Sequence, residues 1–282
     1  FRCFFYSLFS IGKNEIKNLQ SLFNTIKNQS INIYSWIIIE NDCDDGSNEF
    51  LLNIKQVENV KNFHLLHLSF EDKSYQLGMK YSTIIKYGFD FIKSTDYYNK
   101  LDFIGILDSD CFPELNYYEN LTNFMNSDNK IGLASGVLIL ESGVKGFSNS
   151  NHVRGSGRLW KKACFDEAGY YIGMSADSIS RTKAIILGWD AKVDNTSYFI
   201  SREANSRVSL EYGGKSAYYN GYTFSYAIFK TLYYLLRKPK QGVQYLKGYF
   251  KAFFNKFPKN PDLEIIYYNK KMLRRKLFKF IK

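Results

Sequence analysis

Short apolar runs alternate with stretches of helical period along the first half of this chain, at intervals of roughly 30 residues. Cys3 to Ser10, Ile33 to Glu40, Phe63 to Leu68, Phe103 to Leu107 and Ile131 to Leu140 read as strands. Between them, Asn14 to Gln29, Ser47 to Ile54, Leu77 to Lys93 and Tyr117 to Asn126 read as helices. Ile16, Leu19, Leu22, Phe23 and Ile26 mark one face of the first helix, and Ser47 after Gly46 can cap the second. Such alternation implies right-handed crossovers, hence an α/β fold with a mostly parallel, twisted sheet flanked by helices. Ligands of these sheets bind at the carboxyl ends of strands. Two strands here run straight into carboxylates, at Glu40-Asn41-Asp42 and at Asp108-Ser109-Asp110.

Charge divides the chain in two. The 282 residues carry a net +11, but residues 1–227 sum to −2 and residues 228–282 to +13. The expected organisation is therefore a globular domain over 1–227 and a basic amphipathic helical tail over 228–282. A slightly acidic main domain argues against nucleic acid as a partner. In the tail, Val243, Leu246, Phe250, Phe253 and Phe257 fall on one helical stripe beside Lys247 and Lys251, and Lys270 to Lys282 holds seven basic residues and no acid. That pattern fits an interfacial helix on an anionic membrane surface, with rings in the acyl boundary and lysines at the headgroups. A helix packed on the domain's own surface has the same pattern.

Cys3, Cys43, Cys111 and Cys164 contain no C-x-x-C pair, so neither a zinc cluster nor a disulfide framework is expected, and a reducing, cytoplasmic setting is. No apolar run reaches the length of a membrane span, and Phe1 to Phe9 lacks the basic leader and cleavage site of a signal peptide. A calcium-loop reading of Asn41 to Ser47 fails, because with Gly46 at the sixth position the twelfth is Leu52.

Asp108 and Asp110, two apart and just past a buried strand, can hold one divalent cation; hard oxygen ligands favour Mn²⁺ or Mg²⁺, which can then hold a diphosphate. Taken in order, the motifs resemble the nucleotide-sugar-dependent glycosyltransferases of the GT-A (Rossmann-like) fold, especially family 2. Phe5 to Gln29, with Ser10, Asn14 and Glu15, is similar to that family's first strand and helix start. Ile37 to Ser47 resembles its strand followed by Asp-Asp-Gly-Ser-x-Asp-Gly-Ser, with Glu40 for the usual Asp and Asp42-Cys43 for Gly-Ser. Leu77-Gly78-Met79-Lys80 is similar to its Asn/Arg-x-Gly segment without the polar residue, and Leu107 to Asp110 matches its D-x-D element. Trp160 to Tyr170 resembles the acceptor-side segment ending in Gly-Gly-Phe; Asp177 with Gly188-Trp189 resembles the Glu-Asp … Gly-Tyr region, Ala176 standing where Glu is common.

The resemblance implies transfer of a sugar from a nucleotide-diphosphate sugar to a hydroxyl of a glycan or lipid-linked acceptor. It also implies inversion, metal dependence and a place in cell-surface polysaccharide synthesis on the inner face of the membrane. Ser10, Asn14, Glu15, Glu40, Asp42, Gly78, Asp108 and Ser109 would line the donor site, with Glu40 at the nucleobase or ribose. Asp108 and Asp110 would hold the metal, with His152 a third ligand; Asp177 would be the general base; Arg158 and Trp160 would meet the acceptor. From the residues alone, Asp177 could instead cap a helix, Trp160 could be core, Arg158 could belong to a solvated face, and His64 and His67 read as structural. Residues 142–157, rich in Gly, Ser and Asn, read as a loop closing over the donor. Two other functions stay open: a sugar nucleotidyltransferase, for which Ser10 to Lys13 is too sparse a phosphate loop, and a non-catalytic membrane-bound protein on a decayed transferase fold.

Overall fold

The computed structural model describes residues 6–12, 14–71, 78–146, 152–201 and 209–281, with backbone alone at 6–12 and 278–281. Its elements in chain order are β1 (Tyr6–Gly12), α1 (Ile16–Lys27), β2 (Ile33–Glu40), α2 (Ser47–Leu52), β3 (Val60–His67), α3 (Met79–Lys93), β4 (Phe103–Ile106), β5 (Cys111–Pro113), α4 (Tyr117–Asn126) and β6 (Ile131–Leu140). Then come β7 (Arg158–Lys161), α5 (Lys162–Ala168), α6 (Ala176–Ile186), β8 (Asp190–Ser201), α7 (Leu210–Tyr219), α8 (Phe224–Leu235), α9 (Pro239–Phe254), α10 (Leu263–Lys270) and α11 (Met272–Ile281).

The strands form one sheet in the order β3-β2-β1-β4-β7-β6-β8-β5. The pairs β1–β2, β2–β3, β1–β4 and β6–β8 are parallel, as the crossover argument requires. The antiparallel pairings all involve β5 or β7. Because β2 is covered on both faces it is apolar without alternation. Trp36 and Ile38 face α1, α2 and α4, whereas Ile37 and Ile39 face α3 and α5. Each such fully buried side chain contributes about 1.5–3 kcal/mol.

The entry of β7 positions the site. It runs antiparallel to β4 with Arg158 opposite Ile106, so the preceding residues cross the carboxyl end of β4. There the Asp108 amide donates to Ser156 Oγ at 2.8 Å.

The basic C-terminal region is packed onto the rest. Ala227, where the composition changes, is fully buried in the middle of α8. Helices α7 and α9 touch backbone to backbone: a Cβ at Gly214 would stand 1.9 Å from the Tyr245 carbonyl oxygen, and one at Gly248 1.9 Å from that of Glu211. Asn260 Nδ2 donates to Asn220 Oδ1, and Asn269 Nδ2 to the Asn220 carbonyl, all three asparagines being buried. Ile265 of α10 is fully buried against Met174, Ile179 and Tyr219. On α9 the packed face is Tyr245, Gly248, Tyr249 and Ala252; Val243, Phe253 and Phe254 point outward. Among the described residues no helix is long and apolar enough to cross a membrane.

Candidate functional site

At the carboxyl end of β4 a cavity of about 450 Å³ is lined by Asp108, Asp110, Tyr81, Arg154, Asp177 and Tyr212, among others. Asp108 follows β4, Asp110 precedes β5 and Asp177 lies in the first turn of α6, so residues nearly 70 positions apart meet in one space. Gly78 lines it too: its φ of +90° starts α3, and a Cβ there would stand 2.3 Å from the Tyr212 hydroxyl.

The Tyr81 hydroxyl donates to Asp108 Oδ1 at 2.8 Å. Burial, then the charge of Asp110, push the Asp108 carboxyl up to about 7, with Asp177 adding to the rise. Carboxylates repelling each other in a part-buried cavity are relieved by a divalent cation, and Asp108, Asp110 and Cys111 present ligand atoms within 4.8 Å of one another. Burial holds the Cys111 thiol well above its ordinary value, so the hard-oxygen pair is the donor set and suits Mn²⁺ or Mg²⁺. Ser109 is buried between them.

His152 lies outside that cluster. Burial and the positive charges of Arg181, Arg154, Arg158 and Lys230 pull it down to about 4, surroundings that repel a cation. Its assignment as a metal ligand is therefore corrected.

Asp177 does not serve as a cap. Ser175, the residue at the N-cap of α6, is in the left-handed region, makes no capping bond and shares its hydroxyl with Ser216. The Asp177 carboxylate instead meets Tyr170, whose hydroxyl donates at 3.4 Å, and Arg158 Nη1 at 3.9 Å. Arg158 is 1% exposed, and donates to the Asp177, Arg154 and Val153 carbonyls. It positions the start of α6 and has no surface to offer an acceptor. Trp160 is fully buried against Phe89, Phe165 and Tyr170, so stacking on a sugar is excluded and its expected acceptor role is corrected to core.

A second polar cluster sits at the ends of β1–β3. Asp45 Oδ2 accepts from the first amide of α1 at Ile16, and its Oδ1 from Ser47, stitching two loops together. Asn14 Nδ2 donates to Asp44, and the Glu15 amide to Ser47 Oγ. Glu40, 2% exposed, accepts from the Cys43 amide at 2.5 Å and pairs with His67 Nδ1. Asp42 Oδ1 stands 3.9 Å from His67 Nε2. Beside the exposed Asn14 and Asp44, His67 is also accessible at this end, a residue read above as structural; its signal was the strand register, which sets Glu40 directly opposite it. His64 is structural, its Nε2 bonded to the Tyr97 hydroxyl. The side chain of Ser10, Leu77 and loop positions 147–151 lie outside the described residues. Cys43, Cys111 and Cys164 form no disulfide.

No family model matches the chain, and no curated protein matches it by sequence. Solved structures do. The chain aligns with S. aureus TarS over 90% of its own length and 44% of that protein's, at 13% identity and a TM-score of 0.55. It thus spans less than half of full-length TarS. With TarS 1-349 in complex with UDP-GlcNAc the figures are 90%, 73%, 14% and 0.54. The mannosyltransferase PcManGT from Pyrobaculum calidifontis, in complex with GDP-Man and Mn²⁺, aligns over 95% of this chain and 79% of its own, at 12% identity and TM-score 0.53. The fold is that of the nucleotide-sugar glycosyltransferases, the GT-A architecture.

Proposed function

On that fold, we propose that the chain transfers a sugar from a nucleotide-diphosphate sugar to a hydroxyl of a glycan or lipid-linked acceptor, in building a cell-surface polysaccharide. The observation that carries this reading is the sharing of one cavity by Asp108 and Asp110, from the β4–β5 turn, and Asp177, from α6. Donor complexes of the structural neighbours, UDP-GlcNAc with TarS and GDP-Man with Mn²⁺ in PcManGT, support it.

In this mechanism Asp108 and Asp110 would hold Mn²⁺ or Mg²⁺, with Tyr81 fixing the Asp108 carboxylate through its hydrogen bond. The cation supplies positive charge for the departing diphosphate. Asp177 takes the proton of the acceptor hydroxyl as its oxygen attacks the anomeric carbon, oriented by Arg158 beneath and Tyr170 beside it. Attack from the face opposite the leaving group inverts the anomeric centre. Asp177→Asn is expected to keep the thermal stabilisation given by its nucleotide-sugar while losing transfer at least a hundredfold. Undiminished transfer by that variant removes Asp177 as base.

We further propose that α8 and α9 place the enzyme on the cytoplasmic face of an anionic membrane. Phe224, Phe250, Phe253 and Phe254 form a continuous outward cluster, with ring centroids 5.4–5.8 Å apart, beside Lys247 and Lys251. The two lysines share Glu211, leaving one net positive charge beside the aromatic surface, which is complementary to negatively charged headgroups by about 1 kcal/mol. Co-sedimentation with phosphatidylserine vesicles, lost in F250S/F254S and at high salt, is the expected result. Equal binding to neutral vesicles removes the charge argument.

A further inference from the structure

Behind Asp177 lies a second, smaller cavity of about 170 Å³, enclosed by α6, α7, α8, α9 and α10. It adjoins the first: Ser175 and Ser178, on either side of Asp177, line both. Its walls are polar although its surroundings are core. Tyr245 is 1% exposed, and its hydroxyl has no hydrogen-bond partner; Asn269 is 2% exposed, and its Oδ1 has none either. Leaving two such atoms unsatisfied is costly, and both line this cavity.

Lys230 enters from α8. Its ammonium lies over the rings of Tyr245 at 5.1 Å and Tyr234 at 5.7 Å, and among the described residues it forms no salt bridge. Burial, with Lys276 of α11 adding like charge, lowers it to about 8. Arg154, on the wall of the larger cavity, and Lys230 both act on His152, so positive charge runs from one cavity into the other.

A part-buried cation beside a buried hydroxyl donor and a buried carbonyl acceptor matches a tetrahedral oxyanion that still carries a proton. We propose that this cavity is a subsite for a phosphate monoester on the acceptor. Its oxygens accept from Lys230 Nζ and the Tyr245 hydroxyl, and its remaining O–H donates to Asn269 Oδ1. The space, about five waters in volume, is sufficient. The proposal rests on the transferase reading, because it identifies the group beside Asp177 as acceptor. Sulfate, which has no proton to give Asn269, is the poorer ligand. Binding weakens as pH rises from 6 to 9, because the phosphate loses its proton near 6 and Lys230 its own near 8. The other titratable groups at Lys230 are Tyr222, Tyr226, Tyr234 and Tyr245, held neutral by burial, and Lys276 on α11, which Arg181 of α6 in turn repels.

Inorganic phosphate, sulfate and dimethyl phosphate, titrated calorimetrically into the full chain at pH 6.5, test this. Phosphate should bind at least tenfold tighter than either of the others, and Lys230→Met and Tyr245→Phe should each weaken it at least tenfold. The second variant removes one hydroxyl from a buried ring, so it serves where the first fails to fold. Equal affinity for the three anions, or unchanged phosphate affinity in folded variants, overturns the subsite. A synthetic acceptor with and without a terminal phosphate separates the sources: a raised KM in Lys230→Met for the phosphorylated one alone supports the acceptor assignment. Phosphate binding without that KM effect overturns it in favour of a free-phosphate effector. Stabilisation by UDP- and GDP-sugars is measured alongside; if it is absent while phosphate binds, the transferase reading fails and the anion site stands.

Discussion

Gly155 makes room for Asp177: a Cβ at residue 155 would stand 2.4 Å from Asp177 Oδ2 and 3.0 Å from its Cγ. The backbone of the segment before β7 therefore sits directly against the carboxylate assigned as base. No side chain can be inserted without moving that carboxylate.

Gly155→Ala tests the contact. The φ at 155 is outside the left-handed region, so alanine is tolerated by the backbone and the effect is steric. A shift of the carboxylate by about 1 Å is expected to lower kcat about a hundredfold. Steady-state kinetics with a donor-binding control should show the loss in kcat, with donor affinity within about twofold.

Asp110→Asn removes one of two hard oxygen ligands and the charge that chiefly opposes ionisation of Asp108 after burial. Mn²⁺ affinity measured by calorimetry should fall at least tenfold, about 1.4 kcal/mol. Transfer should be lost without recovery at higher Mn²⁺. Metal chelation of the wild type should produce the same loss.

Trp160→Ala and Arg158→Met act in different ways. The tryptophan change empties core space and should cost about 3–5 kcal/mol of stability. Replacing Arg158 strips three carbonyls of their donor and leaves Asp177 unsupported. A thermal scan with parallel kinetics separates them: the first lowers Tm chiefly, the second both Tm and kcat.

Lys183 of α6 bridges Asp262 at 2.9 Å and Glu264 at 2.6 Å, docking α10 onto the domain. Its bond to Lys183 holds Asp262 below the ordinary carboxylate value, in spite of burial. The folded pKa being depressed, this stabilisation is complete above about pH 4 and is lost as pH falls through the lower folded value. Lys183→Met should cost about 2–3 kcal/mol at pH 7. It should also flatten the acid limb of a urea-melt series between about pH 4 and 2.

Apart from β5, periodicity located the strands and helices as far as β6, because each belongs to a regular unit packed on a sheet. What it could not locate depends on tertiary pairing. β5 and β7 are short, and only their antiparallel neighbours make them strands. The D-x-D pair was legible because its position after a buried strand is local information. The Glu40–His67 pair was not, since it needs the register of two strands 27 residues apart. Trp160 was placed at the acceptor by resemblance; that α3 and α5 cover it is information only the tertiary packing holds. In α9 the expected stripe extends too far: the helix ends at Phe254, Phe257 beyond it packs near Tyr219, and the helix itself packs through a face of tyrosine and glycine.

The asparagines 220, 260 and 269 have a consequence for how the chain is made. Met174, three residues before Asp177, gives its carbonyl to Asn220, which in turn is held by residues 40 and 49 positions further along. Emerging from a ribosome, the segment carrying Asp177 cannot take its final shape while Asn260 and Asn269 are still in the tunnel. The site matures late in synthesis, after the sheet that presents Asp108 and Asp110 has had its strands available for some time. A nascent chain arrested before residue 260 should therefore resist proteolysis across the sheet while α6 and α7 are still cut.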